Sequence, residues 1–238
     1  MNPRTQKLDS GAILYDADLF PHAEVEPTVQ WFRSSWWEQQ GLVTSRQRGR
    51  GTALTVETPI GPAVLRQYLR GGWAARFIRS RYLFTGYGRS RPFREFGILT
   101  RLARLDLPAP RPAGCLCERH GLASTGALLT LEIPNCHPLE RWLDSMDADA
   151  WRSVGRCVRK FHDQGLVHAD LTVRNILIQD GGEVFLVDFD RARFRDNADR
   201  AFARNLQRLK RSLHKTWRES NIESDETAWK HLIHGYES

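Results

Sequence analysis

A short stretch in the second half of the sequence combines residue types that can carry out phosphoryl transfer. Asp170 and Asn175 lie in the pattern H-x-D-x-x-x-x-N, and Asp188 follows thirteen residues after Asn175 in an Asp-Phe-Asp sequence. In such sites one carboxylate accepts the proton of the acceptor hydroxyl, while an amide oxygen and a second carboxylate hold Mg²⁺. The spacing therefore predicts Asp170 as the catalytic residue and Asn175 and Asp188 as metal ligands, with Mg²⁺ as cofactor and ATP as co-substrate.

Each of these three residues alone is more simply explained as a turn cap or a strand end. Together, around a predicted hairpin and behind a glycine that can end a helix, they favour catalysis. His168 is expected to support the loop through backbone hydrogen bonds. Asp190 receives no role, since it could be a further metal ligand or an exposed charge beside Arg191 and Arg193.

The elements that must position this site are visible in the hydrophobic pattern. A helix is predicted from Trp151, Val154, Val158 and Phe161, which share one face, and Gly165 can close it in a left-handed conformation. Two apolar runs follow, 175–178 and 184–187, and the turn residues between them predict a hairpin. Loop residues before and after this hairpin are expected to lie close together.

The first half of the sequence is expected to bind the nucleotide. Gly49 and Gly51 would let a backbone turn approach phosphate closely, because glycine accepts such conformations without steric cost. Arg66 stands on a predicted strand where kinases carry a lysine. Glu95 is its predicted partner because it is the only acidic residue between Arg66 and Arg104, although Arg91 or Arg94 on its own helix could also neutralise it.

These elements predict an α+β fold of the bilobal protein-kinase-like type. The first lobe would be a small antiparallel sheet with one helix, and the second lobe would be mainly helical. We predict a loosely ordered lead-in at residues 1–30, a nucleotide-binding N-lobe at 31–133 and a catalytic, metal-binding C-lobe at 134–238.

Composition points to an acidic partner. The 238 residues carry a formal net charge of +7, and lysine contributes only five of the 35 basic residues. Arginine forms forked hydrogen bonds with phosphate and carboxylate groups. Residues 66–104 contain ten arginines and one acid, interleaved with aromatic residues, which suits either a solvated basic loop or a surface for an anionic glycolipid.

No apolar run approaches the roughly 20 residues of a spanning helix, and no hydrophobic signal core follows Met1, so we expect a cytosolic location. The four cysteines lack the paired C-x-x-C spacing of a zinc site and are expected to be reduced.

Two aromatic or amphipathic segments have alternative interpretations. In segment 204–218 leucines and Trp217 share one helical face and basic residues share the opposite one, which suits either an anionic membrane or a protein core. Trp31, Phe32, Trp36 and Trp37 could likewise be membrane anchors or core residues.

The sequence from about Arg48 to Lys215 resembles the 3-deoxy-D-manno-octulosonic acid (Kdo) kinases, which are related to the heptose kinases of lipopolysaccharide assembly. The segments that carry the resemblance are 64–68, 70–72, 81–86, 94–96, 168–171, 188–191 and 205–209. It implies transfer of the ATP γ-phosphate to the 4-hydroxyl of a Kdo sugar on a lipid A precursor. It also implies a peripheral location at the cytoplasmic face of the inner membrane, with that anionic surface as a partner. Thr172 and Val173 stand where the family usually has Asn and Ala.

Other functions explain less of the sequence. A heptose kinase would share the same residues, and a small atypical protein kinase is disfavoured because only 48 residues follow Asp190 and no Ala-Pro-Glu occurs. A basic nucleic-acid-binding module would explain the arginines but not the spacing of Asp170, Asn175 and Asp188, so we expect no nucleic acid partner. A pseudokinase, which binds ATP without transfer, is the alternative suggested by Arg66.

Overall fold

The structure, a computed structural model, describes residues 1–20, 26–47, 53–68, 86–121, 123–220 and 226–238. The chain divides into two units. The first comprises Met1–Arg104 and Arg111–Glu132, and the second comprises Leu105–Pro110 and Ile133–Ser238. The division after Glu132 lies one residue from the predicted lobe boundary. Leu105–Pro110 also belongs to the second unit, and no feature of the sequence indicated this.

The first unit is built on a seven-stranded antiparallel sheet with the strand order β1-β2-β6-β7-β5-β4-β3. Alternating apolar residues bury one face, as predicted for the hairpin of β4 and β5. The strands are β1 (Pro3–Leu8), β2 (Gly11–Asp16), β3 (Val43–Gln47), β4 (Ala53–Thr58), β5 (Gly61–Gln67), β6 (Pro112–His120) and β7 (Ala123–Leu131).

The interpretation of residues 1–30 as a loosely ordered lead-in is wrong for β1 and β2. β2 pairs with β6 and buries Ala12, Ile13 and Tyr15, so it is an integral strand of the sheet. β1 is an edge strand whose residues are mostly exposed, which removes the apolar alternation that would reveal it in the sequence.

Trp31, Phe32 and Trp37 are buried in the core of this unit, which excludes these three as membrane anchors. They lie at a 3-10 turn (Val29–Phe32) and in the short helix α1 (Ser34–Gln39). Trp31 and Trp37 meet edge to face at 5.7 Å, and the Trp37 indole donates a hydrogen bond to the Trp31 carbonyl oxygen at 2.7 Å. Trp36 packs partly buried against the same core.

Helix α2 (Arg91–Arg104) is the predicted helix of the first half. Phe96, Leu99 and Leu102 recur at helical spacing and are buried, and the helix ends before Pro108. Its packing on β6 and β7 buries Glu95 as well.

The second unit is mainly helical. Its long helices are α3 (Ala148–Asp163), α4 (Asp199–Glu219) and α5 (Glu226–Glu237). The short strands are β8 (Cys136–Pro138), β9 (Leu166–Val167), β10 (Ile176–Gln179), β11 (Val184–Leu186) and β12 (Arg193–Phe194).

Two nested strand pairs form the frame of the predicted catalytic segment. β9 pairs with β12, and between them β10 and β11 form the predicted antiparallel hairpin. Gly165, with φ +76°, ends the turn after α3, and a Cβ atom there would lie 2.8 Å from the Arg195 carbonyl oxygen. Glycine is therefore required where the chain enters β9.

Helix α4 buries its apolar face within the protein. Leu209, Leu213 and Trp217 are each at most 1% exposed, whereas the basic residues of the opposite face are exposed. The core-packing alternative is thus confirmed for the apolar face.

The predicted α+β fold class of the kinase type is confirmed, with a larger sheet than expected and the additional helix α1 in the first unit. Among the described residues, no helix combines the length and hydropathy needed to cross a membrane. All four cysteines are free thiols.

Candidate active site

Asp170 and Asn175 lie on one loop that leads from β9 into β10. The Asn175 side-chain amide donates from Nδ2 to the Asp170 carbonyl oxygen at 2.7 Å, and its backbone N–H closes a turn on the Thr172 carbonyl oxygen at 3.0 Å. Because Nδ2 is used within the loop, the Asn175 Oδ1 atom is the part of the amide that can bind a cation.

Asp188 is held beside this loop by the end of the hairpin. The Val187 N–H donates to the Asn175 carbonyl oxygen at 3.0 Å, so Asp188 directly follows a residue bonded to Asn175. Asp188 adopts a left-handed backbone conformation, with φ +66°, and is exposed, while Phe189 is fully buried against Phe161. The left-handed conformation at Asp188 thus allows its carboxylate to face solvent while the next side chain, Phe189, is buried in the core.

His168 connects the two loops from within the core. Its Nδ1 accepts a hydrogen bond from the Asp170 N–H at 3.2 Å, so its Nε2 donates to the Val187 carbonyl oxygen at 3.0 Å. Burial lowers the pKa of His168 and favours this neutral form. The contacts are those of the backbone-supporting role expected for His168.

Helix α4 contributes three polar side chains that sequence reasoning did not assign to the site. Asn205 exchanges two hydrogen bonds with the His168 backbone, at 3.0 and 2.6 Å, and Ser212 accepts from the Val173 N–H at 3.2 Å. Between them, Arg208 Nη1 donates to Asp170 Oδ1 at 2.9 Å. Spacings of three and four residues place all three on one side of the helix.

One sequence signal could have found Asn205. It is a buried amide between Ala201 and Leu209 on the apolar face of α4, and a buried polar group requires hydrogen-bond partners. Arg208 has no comparable signal in its spacing, which is that of the other exposed basic residues, and only the resemblance of segment 205–209 includes it.

Asp170 remains accessible in this arrangement. Its side chain is 58% exposed and that of Arg208 is 47% exposed. Arg208 holds one carboxylate oxygen, which leaves the other available to accept a proton from a hydroxyl group.

The first unit contains the predicted pair of Arg66 and Glu95. Arg66 Nη2 contacts the Glu95 carboxylate and donates to the Tyr68 hydroxyl at 3.1 Å, and that hydroxyl donates to the other Glu95 oxygen. Tyr68 is a third member that sequence reasoning missed. Its burial, followed by the Glu95 charge, raises its pKa and keeps it a neutral donor.

Gly49 and Gly51, the predicted phosphate-binding glycines, lie outside the described residues, as does most of the basic segment up to Phe84.

The described residues contain no group of three or more His, Cys, Asp or Glu side chains able to hold a metal ion. Mg²⁺ requires less from the protein, since it is commonly held by one or two side-chain oxygens together with water and substrate phosphates. The amide oxygen of Asn175 and the carboxylate of Asp188 are hard oxygen donors and fit this requirement.

Comparison with known proteins agrees with this chemistry. The model of the lipopolysaccharide kinase (Kdo/WaaP) family matches residues 34–236. A protein of Xanthomonas axonopodis pv. citri named 3-deoxy-D-manno-octulosonic acid kinase is 40% identical over 95% of this chain and 90% of its own length. Proteins of the same name from Xanthomonas campestris pv. campestris (strain B100) and Photobacterium profundum are 37% and 35% identical. They cover 100% and 96% of this chain and 94% and 96% of their own lengths.

Proposed function

The chain belongs to the lipopolysaccharide kinase (Kdo/WaaP) family, and from this premise we propose that it transfers the γ-phosphate of ATP to a Kdo sugar. The acceptor is the 4-hydroxyl of Kdo on a lipid A precursor, at the cytoplasmic face of the inner membrane. The observation that carries the proposal is the set of hydrogen bonds that joins Asn175 to Asp170 within one loop and to Val187, the residue preceding Asp188, at the end of the hairpin. Relatives that match nearly the whole chain and are named for this activity support the choice of acceptor.

Asp170 is the general base of the proposed reaction. The sugar hydroxyl gives its proton to the Asp170 carboxylate while its oxygen bonds to the γ-phosphorus, and the bond from that phosphorus to the bridging oxygen breaks to release ADP. Arg208 and His168 position Asp170 by its side chain and its backbone N–H respectively. Orientation of this kind lowers the barrier because the base is held where the proton leaves.

Asn175 and Asp188 would hold Mg²⁺. When bound, Mg²⁺ would neutralise charge on the transferred phosphate. The side-chain and backbone N–H groups of Asn175 donate to Asp170 and Thr172 within the loop, which leaves the side-chain oxygen of Asn175 available for the metal.

Arg66 takes the place of the lysine that binds nucleotide phosphates in kinases. A guanidinium has five N–H donors, so Arg66 can contact Glu95, Tyr68 and a phosphate oxygen together. Glu95 and Tyr68 fix its orientation, while Gly49 and Gly51 are proposed to cover the phosphates. Arginine is therefore compatible with transfer and does not by itself indicate a pseudokinase.

The experiment is a transfer assay with the purified protein, Mg²⁺, ATP and a Kdo-bearing lipid A precursor. We expect mass spectrometry to show one added phosphate on the Kdo residue, at its 4-hydroxyl. A heptose-bearing acceptor and a peptide mixture serve as controls. Phosphorylation of either control in preference to Kdo would assign the chain a different acceptor, and ATP binding without transfer to any acceptor would indicate a pseudokinase.

A further inference from the structure

Helix α4 carries a continuous line of positive charge on its exposed side. The line begins one residue into the helix and recurs every three or four residues for about 27 Å, at 1.5 Å per residue. We call it the α4 basic stripe, and its members are Arg200, Arg204, Arg208, Arg211, Lys215 and Arg218.

The stripe differs from an ordinary solvated helix face in the small share of its charges that pair with acids. On α3 two of the four arginine and lysine residues, the half-buried Arg152 and the exposed Arg159, pair with Asp149 and Asp163 on the same helix. On α4 only Arg208 and Lys215 of the stripe pair with acids, whereas the other four arginines make no ion pair with any residue in the described ranges. Like charges at this spacing destabilise a helix, so an external counter-charge would relieve the repulsion.

The position of the stripe links it to the proposed active site. Arg208, in the middle of the stripe, contacts Asp170, while Asn205 and Ser212 dock the same helix onto the catalytic loop. A flat anionic surface that binds the stripe would therefore lie next to the proposed general base. The buried apolar side of α4 takes no part in this contact.

From these observations we infer that the α4 basic stripe docks the protein on a bilayer surface containing anionic phospholipid, with the Asp170 loop beside the lipid headgroups. The inference rests on the proposed function, because a membrane-held acceptor is what this docking would bring to Asp170. Charge complementarity identifies the surface: arginine and lysine close to an anionic leaflet each contribute to attraction that is screened beyond about 8 Å at physiological salt. Single-stranded nucleic acid is disfavoured, since the stripe includes no aromatic side chain on which a base could stack, and duplex DNA is an outcome of the test below.

The test replaces Arg204, Arg211 and Arg218 together by glutamine and leaves Arg208 intact. The matched control replaces Arg156, Arg159 and Lys160, three exposed basic residues of α3, in the same way. Binding is measured by co-sedimentation with vesicles of phosphatidylglycerol and phosphatidylethanolamine, and with phosphatidylcholine vesicles. Activity is measured with the acceptor held in the anionic vesicles and with a short, soluble Kdo acceptor.

We expect the wild-type protein to bind the anionic vesicles and not the neutral ones. Each basic residue near the surface contributes about a fivefold factor, so the triple α4 variant should bind about a hundredfold more weakly and the α3 control within a few fold of wild type. Turnover should fall on the vesicle-held acceptor and stay unchanged on the soluble one.

Wild-type protein that ignores anionic vesicles, or an α4 variant that binds them normally, would overturn the inference. So would an equal loss of turnover on the soluble acceptor, or tighter binding to duplex DNA than to anionic vesicles. If the vesicle binding behaves as expected and no Kdo acceptor is phosphorylated, the docking surface stands and the proposed function fails.

Discussion

The two units each contain an arginine paired with a carboxylate, in opposite surroundings. In the first unit Glu95 is 2% exposed and Arg66 is 23% exposed, and Tyr68 completes their hydrogen bonds. In the second unit Asp170 is 58% exposed and Arg208 is 47% exposed. A buried ion pair is costly to break because an uncompensated charge is left behind, whereas an exposed pair contributes little to stability. The first pair therefore fixes the orientation of Arg66, whereas the second leaves the carboxylate of the proposed general base accessible.

Replacement of Glu95 by glutamine should produce the largest change. Glutamine removes the buried negative charge that faces the Arg66 guanidinium, and we expect the free energy of unfolding in urea to fall by about 3 kcal/mol. Glu219→Gln, which removes only the exposed partner of Lys215 at 3.6 Å, should change it by less than about 0.5 kcal/mol. If the two substitutions lowered the free energy of unfolding equally, burial would not make the Arg66–Glu95 pair more important for stability than an exposed pair.

The pH dependence of stability shows whether the buried His162 of the second unit is shielded from water. It is buried between the Tyr236 hydroxyl, at 2.8 Å, and Asn205, and it stacks on Phe202. Burial lowers its pKa to about 4, so below its unfolded value of about 6.5 the unfolded chain takes up the proton first. Stability should therefore be lost as the pH falls from about 6.5 to 4, by on the order of 3 kcal/mol.

The measurement is urea unfolding of the wild type and of His162→Gln across this pH range. The variant should show a shallower dependence on pH, and His168, whose pKa is also lowered by burial, would account for part of the slope that remains. Identical slopes in the two proteins would mean that His162 is hydrated in the folded state.

Asp170→Asn should affect activity without affecting stability. An amide cannot accept the hydroxyl proton, so kcat should fall by at least about a hundredfold, the low end of a general-base contribution. Because the side chain is exposed, the urea midpoint should stay near that of the wild type. Near-normal turnover in a folded Asp170→Asn protein would remove Asp170 from the proposed mechanism.

Arg208 should give the smallest of these effects. Arg208→Ala frees the Asp170 carboxylate to rotate, and we expect kcat on a soluble acceptor to fall about tenfold, with a smaller change in the KM for ATP. Arg208→Lys keeps a cation at Asp170 and should restore part of kcat, whereas Arg204→Ala serves as the control with unchanged kcat. A purely structural role would instead lower stability and would not be rescued by lysine.

Much of the fold could be predicted because its signals are local. Phe96, Leu99 and Leu102 on α2 and Trp151, Val154 and Val158 on α3 repeat at helical spacing. The hairpin of β10 and β11 follows from apolar runs separated by glycine and Asp180. β1 was not predicted because it is an exposed edge strand of mostly polar residues, in which apolar and polar residues do not alternate.

The sequence by itself determined the chemistry of the proposed site, since the spacing of Asp170, Asn175 and Asp188 is short and the hairpin between them brings its own ends together. Only the tertiary structure decided that Arg208 contacts Asp170 across 38 positions and that Tyr68 joins Glu95 across 27. It also decided that Trp31, Phe32 and Trp37 are core and that α4 buries its leucines. The physical reason is that the hydrophobic periodicity of a sequence shows which side of a helix or strand is apolar. The same periodicity results whether that side faces a protein core or a bilayer. Which partner covers that side depends on contacts between residues far apart in the chain.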